Sequence, residues 1–392
     1  MRNGADMARS NKGRRAKGDG SVFQRKDGRW VMQVWLGDKY KQTYVKSQRD
    51  GLDALKKAQR ELEQGNFVTG PQQTLKEYLE YWLEEVHKPT IRLSSYVKYR
   101  KLIHSYIIPA LGGIKLQKLT PQHVVSLYRQ KEKYGLKPKT ISSIHGVLHV
   151  ALKNAVLWNL VAYNVCDKVS APRVSKGEIK PLTMEQAQNL LRVVRGHRLE
   201  ALLTLALTTA MRRGELLALR WSDVDLENGS LQVRRTVDYI PHYGYVEGEP
   251  KTKAGQRMIL LPSFVVGLLK QHRIEQLEMR LKVGSSWQDR DLLFTGLKGG
   301  YFNPRYMPKL FDKVLIEAGL PHMKFHNLRH SAATLLLSMG VSAKMVQEIL
   351  GHSDISMTLG VYGHVLPAMH KEAMGKWDEK FNSQNQNDTK SK

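Results

Sequence analysis

Two breaks in the hydrophobic patterning, at residues 66–73 and 170–180, keep this chain from folding around one core. The first, Asn-Phe-Val-Thr-Gly-Pro-Gln-Gln, has the composition of a linker; the second mixes Pro, Ser and Gly with Arg173, Lys176 and Lys180 and reads as a basic hinge. A length of 392 residues also exceeds one comfortable core, and 41% apolar residues suffice to fill two or three. No stretch approaches the roughly 18 consecutive apolar residues of a spanning helix, so a membrane partner is not expected. Residues 201–211, the longest candidate, read as a buried core helix. Cys166 is the single cysteine, which excludes an internal disulfide and reads as a small buried residue. The basic N-terminus lacks the apolar core of a secretion signal, and a reducing, cytoplasmic setting is the expectation.

Charge narrows the partner. Lys and Arg number 62 against 36 Asp and Glu, a net +26 that attracts a polyanion, nucleic acid first. Residues 1–50 alone hold 13 Lys+Arg and 5 Asp+Glu, a net +8. A basic tail over 1–20, including Arg14-Arg15-Ala16-Lys17, reads as a flexible arm on DNA. Residues 21–25, 29–36 and 39–46 then read as a three-stranded meander turning at Asp27-Gly28 and Gly37-Asp38. Leu52, Leu55, Ala58 and Leu62 recur at helical spacing before Gly65, so one helix packs on the sheet. Trp30, Tyr40 and Tyr44 stand among Arg25, Lys26, Arg29, Lys39 and Lys41, a set suited to a sheet laid on DNA, although aromatics on such a sheet more often form its core.

The segment over 74–169 reads as a four-helix bundle. Thr74 and Glu77 form a capping box, and Thr120-Pro121 puts proline at the first position of another helix. Tyr96, Tyr99, Ile103 and Ile107 line one face of a helix ending near Pro109, and a fourth helix runs over about 140–158. Lys98, Lys101 and Lys139 are candidate DNA contacts there, against the commoner meaning of such lysines as a solvated face. Beyond the hinge, Thr183 and Gln186 form another capping box, opening a segment over 181–378 whose helices are interrupted by a strand pair near 230–237 and 256–261. The fold class is α+β, mostly α with small β elements.

That last segment carries the chemistry. Arg212 falls at a helix-to-helix turn with Glu215 three residues on to brace it; His326 and Arg329 are spaced to share a helix face; Leu350-Gly351-His352 closes a helix; and Tyr362 follows ten positions later. Alone, each motif is an ordinary structural arrangement. Together, and in this order, they resemble the tyrosine recombinases, particularly phage and transposon integrases, over the whole of this segment.

The resemblance implies an arm-site DNA-binding domain (21–66), a helical core-site DNA-binding domain (74–169), a mixed α/β-hairpin catalytic domain (181–378) and a C-terminal tail (379–392). It makes Tyr362 the nucleophile, Arg212 and Arg329 the phosphate clamps, His326 a participant in proton transfer and His352 a second phosphate donor. Two planar guanidiniums suit the charge of a phosphoryl transition state. Lys251, in Pro250-Lys251-Thr252-Lys253, matches the family's hairpin lysine as general acid, with Lys253 as its competitor. A 3′-phosphotyrosyl link conserves the bond energy, so neither metal nor nucleotide cofactor is implied. The implied partners are double-stranded DNA at core and arm sites, a homo-tetramer on that DNA, a host bending protein and a directionality factor, all in the bacterial nucleoid.

Two positions depart from the family pattern. Ala210 stands where many relatives carry Gly, which matters if the turn needs a positive φ. Gly360 and Gly363 flank Tyr362, and the expectation is a segment that docks only on synaptic assembly. A type IB topoisomerase-like nicking enzyme and a catalytically silent DNA-binding regulator are the competing functions.

Overall fold

The computed structural model describes residues 20–35, 40–63, 72–175, 180–250, 252–351, 353–354 and 374–375. The chain divides into two compact units, residues 1–176 and 177–392.

The first unit opens with the expected meander. Strands β1 (Ser21–Gln24), β2 (Trp30–Trp35) and β3 (Tyr40–Val45) pair antiparallel in chain order. Helix α1 (Gln48–Glu63) covers one face, where Met32 and Val34 bury against Leu55 and Ala58. Tyr40 and Tyr44 do not join that core; they are 49% and 54% exposed, on the opposite side of the usual expectation for sheet aromatics.

A separate apolar cluster belongs to the helices that follow. Helix α2 (Leu75–Tyr81) starts at the Thr74–Glu77 capping box and runs into a π-turn over Trp82–His87. Helix α3 (Leu93–Leu102) likewise passes through a π-turn, Ile103–Ile107, into α4 (Ile108–Leu111). Proline at position 109 lies in this last short stretch, and the helix ends two residues later at Leu111, near the expected place. Helices α5 (Pro121–Lys133) and α6 (Pro138–Leu157) complete the bundle, α5 capped by Thr120 and the α6 face from Ile141 to Ala155 buried.

In the second unit, α7 (Met184–Val193), α8 (Glu200–Thr209) and α9 (Arg213–Ala218) precede the strands. Strands β4 (Val224–Asp225), β5 (Ser230–Val233) and β8 (Arg257–Leu260) form one antiparallel sheet in the order β4-β5-β8. The strand expected over 230–237 breaks after Val233, because Arg234 and Arg235 both turn to the buried Asp223, at 3.7 and 2.8 Å. A second hairpin follows, β6 (Thr236–Ile240) and β7 (Gly244–Gly248), which the patterning did not reveal. Helices α10 (Ser263–Val283), α11 (Met307–Glu317) and α12 (Asn327–Ser338) enclose the core with α7 to α9, and α13 (Ala343–Leu350) packs in a smaller cluster with α12 and Ala210. No helix among the described residues is long and apolar enough to cross a membrane.

Candidate active site

Helix α8 ends where Ala210 enters the left-handed region, φ 52° and ψ 25°. The chain then reverses through Met211 into α9, with Arg212 at the N-cap. Positive φ at this alanine is the condition under which the departure from glycine matters, and it is strained by about 1–2 kcal/mol relative to the right-handed helix. The reversal places the Ala210 carbonyl so that it accepts a hydrogen bond from Arg329 Nη1 at 2.8 Å.

Glu215, 2% exposed, organises the cations. One carboxylate oxygen accepts from Arg212 Nη1 at 2.7 Å; the other accepts from the Arg212 backbone N–H at 3.0 Å and from Arg257 Nη2 at 3.2 Å. Burial alone would raise this carboxyl's pKa, but the Arg257 charge and the Arg212 contacts outweigh it and hold the pKa below its usual value. Arg257, on β8, is itself buried, and that desolvation lowers its pKa despite Glu215 beside it.

Carbonyls at the end of α13 supply further acceptors, and Gly255 O accepts from Arg257 Nη1 at 3.0 Å. Leu350 O accepts from Arg329 Nη2 at 2.7 Å, and Ile349 O from Arg257 Nε at 2.7 Å. Arg212 Nη2 reaches Gly351 O at 3.5 Å. Gly351 caps the helix at φ 63°, and a Cβ there would fall 2.6 Å from Ala254 O and 3.0 Å from Arg257 Nη1. Glycine in Leu-Gly-His is thus fixed twice, by backbone conformation and by the approach of the segment before β8.

His326 caps α12 at its N-terminus, and Arg329 lies in its first turn, 3% exposed. The His326 ring packs edge-on to His330, 5.2 Å between centroids. Crowding by protein atoms, then the charges of His330, Arg329, Arg212 and Arg213, push its pKa down to about 4. The imidazole is therefore neutral at pH 7 and able to accept a proton. A phosphate bound nearby would raise that pKa, since an anion favours imidazolium.

Arg212, Glu215, His326 and Arg329 are thus brought together, although far apart in sequence. Lys251, His352 and Tyr362, with Gly360 and Gly363, lie outside the described residues. Lys253 falls in a short turn, Lys253–Gly255, closed by the Gly255 N–H donating to Thr252 O at 2.8 Å. Sequence reasoning missed Arg257, a buried partner of Glu215, and His330. Spacing pointed to His330, four residues after His326 on the same helical face; nothing in the sequence pointed to Arg257.

The remaining candidates are surface residues. Arg25, Lys26 and Arg29 are exposed on the β1–β2 turn and Lys41 on β3; Lys39 lies outside the described residues. Arg25 donates to Tyr44 Oη at 2.9 Å and Gln42 Oε1 at 3.1 Å, and the guanidiniums of Arg25 and Arg29 lie 5.5 and 5.0 Å from the Tyr44 ring centre. Arg29 is also paired with Asp27 at 2.7 Å. Lys98 and Lys101 are exposed on α3, and Lys139 at the start of α6.

Residues 180–369 match the phage integrase family, and residues 74–131 match the phage integrase N-terminal SAM-like domain. A tyrosine recombinase XerC-like protein of Caldanaerobacter subterraneus subsp. tengcongensis is 32% identical over 326 residues, which cover 79% of this chain and 83% of that protein. An integrase of Saccharopolyspora erythraea is 24% identical over 428 residues, covering 94% and 98%. Among solved structures, the Tn1549 transposon integrase in complex with a circular intermediate DNA aligns with a TM-score of 0.66 at 21% identity, over 78% of this chain and 99% of that one. A lambda integrase tetramer bound to a Holliday junction aligns at 0.55 and 18% identity, over 86% and 96%. At these identities the two structures bear on the fold.

Proposed function

Because the chain belongs to the phage integrase family of tyrosine recombinases, enzymes of site-specific DNA recombination, we propose that Tyr362 is its nucleophile and that Arg212, Arg329, His326 and His352 surround the scissile phosphate. The observation that carries this reading is the state of Arg212. Glu215 takes one of its N–H groups and Gly351 O weakly takes another, while its side chain is 35% exposed and the other donors have no partner among the described residues. A braced guanidinium with donors left over is what a non-bridging phosphate oxygen requires.

In the proposed reaction the Tyr362 oxygen attacks phosphorus as its proton passes to neutral His326. A bond forms to the 3′-phosphate and the bond to the 5′ oxygen breaks. Lys251, or Lys253 in its place, protonates that leaving oxygen, giving a 5′-hydroxyl. Attack by a 5′-hydroxyl of the partner duplex reverses the link and restores tyrosine. Glu215 fixes Arg212 and offsets the charge of Arg257, so it acts through other residues rather than on the phosphate.

The proposal keeps the division into arm-site domain, core-site bundle, catalytic domain and tail. It assigns the basic sheet to arm DNA, through Arg25, Lys26, Arg29, Lys39 and Lys41, and Lys98, Lys101 and Lys139 to core DNA. Assembly is as a tetramer on core DNA in the bacterial nucleoid, with a host bending protein and a directionality factor as accessories. The test uses a nicked suicide duplex carrying the core sequence that the full chain selects from a randomised pool. Wild type is expected to trap a covalent adduct that maps to Tyr362, and Tyr362→Phe none. An adduct on another tyrosine overturns the assignment.

A further inference from the structure

Three tyrosines from different segments of the second unit stand in a row. Tyr239 and Tyr245 are cross-strand partners in the β6–β7 hairpin, packed edge to face at 5.2 Å. Tyr301, from the loop before α11, stacks on Tyr245 at 4.9 Å and 28°. An arginine closes each end: the Arg305 guanidinium lies 4.6 Å from the Tyr239 ring centre, and that of Arg290 lies 5.3 Å from Tyr301.

The row is anchored on one side and open on the other. Tyr245 and Tyr301 pack against the core, and the Tyr301 hydroxyl donates to Glu247, which also receives Arg220. That carboxylate is therefore already engaged. Arg290 and Arg305 are exposed, and neither guanidinium has a hydrogen bond or ion pair among the described residues. A guanidinium carbon 4.6–5.3 Å from a ring centre is held by that ring, and with no other partner among the described residues its N–H donors remain for a ligand. Such donors match a planar or bidentate acceptor, either a phosphate or the O6/N7 edge of guanine.

The row also has a fixed relation to Arg212. Strand β6 packs on α9, and Gly214 is required there because a Cβ would collide with Thr236 Oγ1 and press on Val237 O at 3.0 Å. Tyr239 follows two residues later, about 7 Å along the strand. The row thus stands on the strand that packs against the helix carrying Arg212 at its N-cap.

We propose that Arg305 and Arg290 are DNA contacts in recombination, held by the Tyr239–Tyr245–Tyr301 row to grip bidentate acceptors on the duplex beside the scissile phosphate. This rests on reading Arg212 as a phosphate clamp. Tyr245 is a positioning residue, acting through the two arginines.

The test is fluorescence anisotropy with the full chain and a labelled 40-base-pair random-sequence duplex, titrated across a salt series. Arg305→Ala and Arg290→Ala are each expected to weaken binding about tenfold. If the acceptor is a phosphate, the slope of log affinity against log salt falls by about 0.9 per arginine. If it is a base, the slope stays and one preferred position disappears from the sequences selected out of a randomised pool. Tyr245→Leu is expected to weaken binding and Tyr245→Phe to keep it, which a loss of folding alone would not reproduce. Unchanged affinity, slope and sequence preference in the double arginine variant overturns the proposal. With a Tyr362 adduct still formed by wild type, that outcome leaves the reading of the site standing; weakened variants alongside a wild type that forms no Tyr362 adduct keep these contacts and remove the nucleophile.

Discussion

Arg329 and Arg257 lie within the second unit, donating to main-chain carbonyls at the end of α13, whereas Arg25 and Arg29 lie in solvent against the face of Tyr44. Both pairs are arginines near other cations, yet they are held by different means. The buried guanidiniums require backbone oxygens and, for Arg257, Glu215, because an uncompensated cation costs several kcal/mol there. The exposed pair is held by the Tyr44 ring, by Tyr44 Oη and Gln42 for Arg25, and by the neighbouring Asp27 for Arg29. Fixed direction in the first case and adjustability in the second suit a single phosphorus atom and a long duplex surface respectively.

The contrast is broken most severely at Glu215. Glu215→Gln leaves Arg257 buried beside a neutral amide, with an expected loss of about 3–5 kcal/mol in urea unfolding. The carboxyl's pKa is depressed in the folded chain, so its contribution is present above about pH 4.5 and lost as pH falls through the lower folded value. The gap between wild type and variant should therefore narrow below that pH; a constant gap would mean that the charge is not what stabilises. Arg329→Ala strands the Ala210 and Leu350 carbonyls and should cost upward of about 2 kcal/mol, at about 1–3 for each unsatisfied acceptor. By comparison, Arg25→Ala should leave the melting temperature unchanged and reduce the salt slope of duplex binding by about 0.9. A destabilisation equal to that of Arg329→Ala would erase the distinction between the two regions.

The smallest effect is expected at Ala210. Left-handed alanine costs about 1–2 kcal/mol, but its methyl is fully buried, in a cluster with Ala332, Ala333 and Leu337. Glycine would forfeit about 0.8 kcal/mol of methyl burial and about 0.5–1 kcal/mol through greater unfolded-state freedom. These terms nearly cancel. Ala210→Gly should thus shift stability by less than about 0.5 kcal/mol in either direction, measured by denaturant midpoint, with little change in adduct formation.

Elements with local chemical signals were legible in the sequence. Thr74, Thr120 and Thr183 each accept from the backbone N–H three residues on, as their capping motifs require. The β6–β7 hairpin was not, since its turn runs through Pro241, His242 and Tyr243 with His242 at φ 69°, a conformation that glycine or asparagine ordinarily advertises. Of the candidate site, spacing anticipated Arg212, Glu215, His326 and Arg329, which the fold brings together, but not their supports. Arg257 acts through Glu215, 42 positions away, and the Ala210 carbonyl through Arg329, 119 positions away. No periodicity encodes contacts of that range.

The end of α13 bears on how inactive controls are built. A helix leaves its last four carbonyls without partners of its own. Here the Gly351 N–H serves Gln347 and Glu348, while Arg257 serves Ile349 and Arg329 serves Leu350. Half of that terminus is tied down by guanidiniums, so replacing Arg329 removes a proposed phosphate donor and frays a helix in one stroke. A null phenotype from such a replacement has two origins that activity alone does not separate. Tyr362→Phe removes one hydroxyl and leaves both guanidinium ties intact, which makes it the cleaner bait for capturing stalled complexes on DNA.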